Sequence, residues 1–379
     1  MRIAFVVERP TQFEAPFYRH AANDPANRLR VIYTDPKLAE PAFDPEMGRT
    51  VSWGFDLLAG YDHIVLPPRD RARWLAGELC SCDLAIVNGY TRLPYLLAAV
   101  AARRAGVPAA LRLDSVLFTE SPSRLSAKRI LFNVGMKRMY DLFFGVGTLT
   151  LEYLRALGVP EERMGLFPYA VDVEAFRRGS DLSPEERAAV RERLGVPAGA
   201  KVLLCLTKLN PREAPWELVS AFARGTDPRR WLLIAGDGPS RPDLEAAVRE
   251  RGLRQVRFLG YVPYPRLPEL YAAADLFLHP VAEERWGVSV AEAMACGLPA
   301  VTSSRVGAAR DLIVPERNGF TYPVGDDGAL AWRIDQALLL PPAQVREANR
   351  SVLARWDYEA AWRGILSAAA RLQTQRETR

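Results

Sequence analysis

The sequence predicts an α/β protein of two doubly wound domains. Three observations carry that expectation. At 379 residues the chain is long enough for two or three domains. Short β-branched or apolar runs alternate with helical stretches, which argues for parallel sheets covered by helices on both faces. A Pro-, Gly- and charge-rich seam, "MGLFPYAVDVEAFRRGSDLSPEERAAVRERLGVPAGA" at residues 164–200, divides the runs into two sets. Taken in order, "RIAFVV", "DLAIVN", "AALRL" and "LFFGVG" are the strands expected before the seam. After it come "KVLLCL", starting at Lys201, then "WLLIAG", "VRFLG", "LFLHP" and "PAVTS". The last stretch, "YEAAWRGILSAAARLQ", has helical spacing and is expected to form a C-terminal helix able to pack back across the seam. No internal repeat or low-complexity segment interrupts this order.

Composition excludes several classes. With 49% hydrophobic and 25% charged residues the chain is an ordinary soluble one. Its four cysteines, Cys80, Cys82, Cys205 and Cys296, have neither disulfide-framework nor zinc spacing, and three scattered histidines, His20, His63 and His279, leave little from which to build a metal site. A reduced, cytoplasmic compartment is expected. The apolar run in "MRIAFVVERP" is too short for a signal peptide and reads as a first strand, and no 18-residue apolar span crosses a bilayer. A net charge of +5 and a pI near 9.1 suit anionic partners such as nucleotide phosphates or an anionic membrane surface. No nucleic-acid partner is expected, and the sequence fixes no oligomeric state.

Two such domains make a cleft, and ligands of open parallel sheets collect at the carboxyl ends of strands, where loops lead into helices. After "DLFLH" the chain passes Pro280, Glu284, Trp286 and Gly287 and is expected to enter a helix near Ser289 that ends at Gly297, before Pro299. The helix start suits a phosphate, and a glutamate just outside it can accept hydrogen bonds from sugar hydroxyls. Ser289 and Glu292 equally fit a Ser-x-x-Glu capping box, and Glu284 equally fits a solvated loop acid, so both structural readings stay open. In "TKLNPREAPWELVSAF", Lys208 and Arg212 precede a helix started by Pro215, and two cations in a strand-to-helix loop suit a diphosphate. "AGDGPSRPDLEAAV" then supplies a tight glycine turn and "FLGYVP" a second strand-end turn, each of which is also an ordinary βα connection.

The order Lys208/Arg212, "GDGP", "FLGYVP", "LHPVAEERWGVSVAEAMACGLPAV" and "NGF" resembles the nucleotide-sugar half of retaining GT-B glycosyltransferases of the family 4 type. The resemblance covers residues from about 200 to 355, where Glu284, Gly287, Glu292, Ala293, Gly297 and Pro299 match the Glu-x7-Glu element. The first half resembles the family more loosely, through "NGY", "GVPAALRLDS", "FFGVGTLTLEYLRALGVPEERM" and "PYAVDVEAF". The resemblance implies two Rossmann-like domains facing a cleft: an acceptor domain at 1–170, a nucleotide-sugar domain at 171–354, and a C-terminal helix at 355–379 packing back on the first. It implies that Glu284 contacts donor-sugar hydroxyls, Glu292 the ribose, and the amides around Gly287, Val288 and Ser289 the diphosphate, with Lys208 and Arg212 neutralising it. Glu284, Lys208 and Arg212 form the implied catalytic set. Gly236, Gly238, Tyr261 and Val262 join the donor side, and Thr11, Arg112 and Asp114 the acceptor side. Three positions depart from the family pattern. Lys208 fills the place of its Arg, Glu213 falls where it has Lys, leaving Arg212 as the substitute, and Asp114 stands where many members have a histidine. The loop "ERPTQFEAPFYRHA" also lacks the paired glycines used near the donor phosphate.

The function this implies is transfer of a sugar from a UDP- or GDP-sugar to a hydroxyl acceptor, a glycan, glycolipid or small aglycone, with retention. No Asp-x-Asp motif occurs in the chain, so no metal or cofactor is expected. The alternatives are a sugar phosphorylase or epimerase of the same architecture, or an inactive binding subunit. Phe13, Phe17, Tyr18, Trp53, Phe55, Tyr61 and Tyr90 supply aromatics for an acceptor, with core packing the favoured reading for most. In "RLSAKRILFNVGMKRMYDLFF", Lys128, Arg129, Lys137 and Arg138 flank apolar positions. A basic-edged core helix is the favoured reading, and peripheral docking at the inner face of a membrane is the alternative.

Overall fold

A computed structural model describes residues 1–35, 42–44, 46–51 and 54–377. Trp53 lies outside these. Along the chain the strands are β1 (Arg2–Val7), β2 (Arg28–Tyr33), β3 (Ala42–Asp44), β4 (Arg49–Val51), β5 (His63–Val65), β6 (Leu84–Val87), β7 (Ala109–Leu113), β8 (Leu142–Gly145) and β9 (Met164–Leu166). They continue as β10 (Lys201–Leu206), β11 (Arg230–Ala235), β12 (Val256–Gly260), β13 (Leu276–His279), β14 (Ala300–Ser303) and β15 (Gly319–Tyr322). The chain forms two compact units. One comprises Met1–Glu40, Asp56–Val171 and Trp356–Arg379; the other comprises Pro41–Phe55 and Asp172–Arg355. The sequence places 1–170 together, whereas 41–55 group with the second unit.

The first unit holds an all-parallel sheet in the order β5-β2-β1-β6-β7-β8-β9. Its inner strands β6, β7 and β8 are buried throughout, and apolar but for Arg112, because helices cover both faces and no side of the strand meets water. On one face the helix Glu14–Ala22 and the C-terminal helix Tyr358–Glu377 enclose Phe5, Phe17, Tyr18, Phe167, Trp362 and Ile365. On the other, Arg71–Leu79 and Leu93–Arg104 close over Val6, Ile32, Leu75 and Ala98. Phe17, Tyr18 and Tyr61 are therefore core residues, as favoured, and the hydroxyls of Tyr33 and Tyr61 satisfy each other at 2.6 Å.

The basic stretch departs from its favoured reading. Helix Pro122–Leu131 buries none of its side chains, and only Phe132 and Met136 of the π-helical turn that follows reach the core. Ile130 is 65% and Val134 62% exposed, alongside exposed Arg124, Arg129 and Arg138. It is an amphipathic surface helix, not a basic-edged core helix. Its one-sided composition was legible, but which side faced water was not.

The second unit holds a parallel sheet in the order β12-β11-β10-β13-β14-β15 and an antiparallel ribbon of β3 with β4. Strand order reverses between β10 and β13, which are direct neighbours, with Cys205 opposite Leu278. At such a switch point the two connecting helices leave on opposite faces, so the loops after β10 and β13 part and leave a crevice at the carboxyl edge. Those two loops carry Lys208, Arg212 and Glu284.

Candidate functional site at the carboxyl edge of the second sheet

The loop after β13 is fixed by its neighbours rather than by itself. The Glu284 N–H donates to the Arg305 carbonyl at 3.0 Å, its carbonyl accepts from the Gly307 N–H at 2.9 Å, and the Trp286 carbonyl accepts from Ala308 at 2.7 Å. A Cβ on Gly307 would lie 1.9 Å from the Arg285 carbonyl oxygen, so the strap 303–308 closes on this loop only with glycine there. Gly287 has φ +112°, and a Cβ there would meet Val306 at 2.9 Å. This residue turns the chain into the helix Val288–Ala295, whose first N–H groups, from Val288 and Ser289, lack intrahelical acceptors by geometry.

The helix therefore begins one residue earlier than expected, with Gly287 in the N-cap place and no side-chain cap. The Ser289/Glu292 capping box does not form. Glu292 instead points inward, 4% exposed, and accepts a hydrogen bond from the Tyr271 hydroxyl at 2.9 Å. Burial pushes its carboxyl up to about 7, against the opposing pull of the Tyr271 and Tyr264 hydroxyls.

Glu284 keeps its side chain 38% exposed and pairs with the imidazole Nε2 of His279, the last residue of β13 and itself 4% exposed. Burial works against the charge on both partners. The pair wins: the His279 imidazolium, with Arg212 and Lys208 beyond it, holds the Glu284 carboxyl below its ordinary range, and Glu284 with Glu213 holds the imidazole above its own. His279 was read only as one of three scattered histidines. Its strand-end position opposite the β10 terminus was the available signal.

After β10, Asn210 caps its own turn by accepting from the N–H groups of Arg212 and Glu213. The Arg212 carbonyl accepts from the Ala282 N–H at 2.8 Å, which ties the two loops together. The helix Pro215–Ala223 starts at Pro215 as expected. Both cations are engaged by the β3–β4 ribbon. Lys208 Nζ lies 2.5 Å from Glu46 and 3.0 Å from Asp44, and Arg212 lies 3.2 Å from Glu46 and 3.2 Å from Glu213. Arg49 of the same ribbon lies 3.6 Å from Asp237 and 5.0 Å from the Tyr261 ring centroid. None of these ribbon residues was singled out in the sequence. Burial, then the charge of Glu284, raises the Glu213 carboxyl, so this acid is held towards its neutral form.

The glycine turn has an internal purpose. A Cβ on Gly236 would sit 1.8 Å from the Thr207 carbonyl oxygen, and one on Gly238 would sit 2.5 Å from that of Leu209. The close backbone approach is to the Lys208 loop, with Leu209 N–H donating to Asp237 at 3.0 Å. Tyr261 and Val262, partly buried, follow β12 beside it.

In the first unit, Thr11, Arg112 and Asp114 fall into one network. Arg112 is 2% exposed; its guanidinium donates to Glu14 at 2.6 Å and to the carbonyls of Phe167 and Pro168 at 3.1 and 3.0 Å, and lies 3.7 Å from the Phe167 ring centroid. It is thereby a buried strut. Thr11 accepts from the Glu14 N–H at 3.1 Å, and Asp114 accepts from Tyr169 at 3.4 Å. Glu14 and Tyr169, which hold the three together, were missed. Among the described residues no group of three or more His, Cys, Asp or Glu side chains is placed to hold a metal ion.

Residues 186–352 match the family Glycosyl transferases group 1, so this stretch carries a domain of that family. The chain is 29% identical over 300 residues to the 2-deoxystreptamine glucosyltransferase of Streptomyces kanamyceticus, covering 74% of this chain and 72% of that one. It is 32% identical over 231 residues to a GDP-mannose-dependent alpha-mannosyltransferase of Mycobacterium tuberculosis, covering 60% of this chain and 56% of that one. The chain spans about half the length of several curated relatives it matches. In structure it is similar to Anabaena HepE solved in complex with UDP, with a TM-score of 0.77, 20% identity, and coverage of 98% of this chain and 100% of that one. Two Rossmann-like units of the GT-B type are thus the fold of this protein.

Proposed function

We propose that this protein transfers a sugar from a nucleoside-diphosphate donor to a hydroxyl acceptor, with retention of anomeric configuration and without a divalent metal. One observation carries the reading: Lys208 and Arg212 stand at the β10 edge of the switch point, tied by the Arg212–Ala282 hydrogen bond to the loop that presents Glu284 and the helix start at Gly287. Two cations, a helix N-terminus and a partly exposed carboxylate side by side match a ligand made of a diphosphate joined to a polyol. The relatives' names support this class: one is a glucosyltransferase, another depends on GDP-mannose, and HepE has been solved with UDP and with UDP-glucose.

In this mechanism Lys208, Arg212 and the amides of Val288 and Ser289 take up charge as the sugar–phosphate bond breaks towards an oxocarbenium-like state. The acceptor oxygen bonds to the anomeric carbon on the same face, and its proton passes to the departing diphosphate oxygen. Glu284 holds sugar hydroxyls, and Glu292, once released from Tyr271, reaches the ribose. Thr11 and Asp114 face the acceptor. The surface helix Pro122–Leu131, with Ile130 and Val134 outward among arginines, supports peripheral contact with an anionic membrane face on the cytoplasmic side. No helix among the described residues is long and apolar enough to cross a membrane.

The test is a panel of UDP- and GDP-sugars assayed for thermal stabilisation and then turnover, with and without chelator. Lys208→Ala and Arg212→Ala are each expected to lose about 2 kcal/mol of transition-state stabilisation. No stabilisation by any nucleotide sugar, or full activity in both variants, sinks the assignment. Loss of turnover on chelation removes the metal-free part alone.

A further inference from the structure

We infer that His279 is the positioning residue of the donor site, fixing the Glu284 carboxylate in the orientation that receives the sugar hydroxyls. The inference rests on the transferase reading above and deepens it. Glu284 sits on a loop, yet its backbone is clamped on both sides by Arg305 and Gly307. What the clamp leaves undetermined is the side chain, whose χ angles are otherwise mobile at 38% exposure. His279 removes that freedom. Its imidazole is buried, lies nearly parallel to the Phe277 ring at 19° and 6.0 Å, and holds Glu284 Oε2 through Nε2. The tether thus engages the carboxylate through Oε2. Supporting groups of this kind set how much of a contact is realised in the transition state.

The cluster also strengthens the hold of this buried histidine on a proton. Desolvation alone would remove it, but Glu284 and Glu213 both face the ring, and together they raise its affinity for the proton. Lys208 and Arg212 act on Glu284 from the other side and hold it ionised.

The experiment compares parent, His279→Gln and His279→Leu. Gln keeps an N–H donor without a titrating proton, whereas Leu keeps bulk and removes the donor. Binding of UDP and UDP-glucose, or of GDP and GDP-mannose, is measured by calorimetry, and kcat/KM for the donor is measured against pH. His279→Leu is expected to bind the nucleoside diphosphate like the parent but to lose about tenfold or more in kcat/KM. Because the pKa of His279 is raised, its proton is lost at a higher pH than that of an ordinary imidazole. The parent should therefore show an alkaline fall in kcat/KM, and His279→Gln should recover much of the lost activity without that fall. Equal loss of nucleoside-diphosphate and nucleotide-sugar affinity in His279→Leu shows a merely structural histidine and overturns the inference. So does an alkaline limb retained in His279→Gln. A parent that binds no nucleotide sugar overturns the transferase reading first, and the positioning role falls with it.

Discussion

Glu292 shows how one residue's surroundings reset its chemistry. Its carboxyl, buried against Tyr271, is pushed up to about 7 from an ordinary 4.5. An acid whose pKa is raised on folding favours the folded state most fully below its unfolded pKa, and that contribution is lost as pH rises through the folded value. The expected outcome is that the unfolding free energy of the parent, relative to Glu292→Gln, declines between about pH 4.5 and 7 by roughly 3 kcal/mol and is flat above. Urea unfolding of both proteins across that range checks it. A difference independent of pH would mean that Glu292 ionises normally and is solvated. The same residue marks a limit of sequence reading: Ser289-x-x-Glu292 satisfies the capping pattern, but Gly287, by turning the chain at φ +112°, starts the helix too early for Ser289 to cap it.

The β3–β4 ribbon matters at the scale of the element. It comes from the first half of the chain but groups with the second unit, where Asp44 and Glu46 pair with the two cations assigned to the diphosphate. A diphosphate must displace these carboxylates. Each is partly exposed, so each of the three pairs is worth only about 0.5 kcal/mol in water, which sets the competition at about tenfold in affinity. Asp44→Asn with Glu46→Gln is accordingly expected to bind inorganic pyrophosphate about tenfold tighter than the parent, with the gain shrinking at high salt. Asn at 44 retains an oxygen for the turn N–H groups of Glu46 and Met47, so the ribbon itself should persist. Unchanged or weaker pyrophosphate binding would show that the acids order the cations instead of opposing the ligand. Nine strands were legible as predominantly apolar runs, from "RIAFVV" to "PAVTS". β2, β3, β4, β5, β9 and β15 were not, because "RLRVIY" opens on alternating polar and apolar residues and the others span three or four residues.

For the whole molecule, the C-terminal helix Tyr358–Glu377 returns the chain to the first unit after it has built the second. Trp362 is the anchor. It is 4% exposed, packs with Phe17, and donates its indole N–H to Asp24 at 2.8 Å; that hydrogen bond, with the Asn27 side chain, lowers the Asp24 carboxyl. Trp362→Ala is expected to destabilise the first unit by about 3 to 5 kcal/mol through the cavity and the lost hydrogen bond. Unfolding monitored by circular dichroism checks it, and a loss below about 1 kcal/mol would mean that the helix is not integral to that unit.

By itself the sequence determined the doubly wound α/β character, the seam, the cations at Lys208 and Arg212, and the two acids. Each depends on a local property: runs that exclude water on both faces, loops that follow strands, and a fixed spacing on one segment. Only the tertiary structure decided that His279 holds Glu284, that Glu292 turns inward to Tyr271, that Arg112 is a buried strut between Glu14 and Phe167, and that the helix at Pro122 lies on the surface. The reason is separation along the chain. Arg112 lies 98 residues from Glu14, and Lys208 lies 162 from Glu46, so no window of sequence contains both partners. Even the four residues between His279 and Glu284 carry no periodicity that pairs them, because it is the strap at 305–307, folded on from the next strand, that turns the carboxylate's loop back over the end of its own strand.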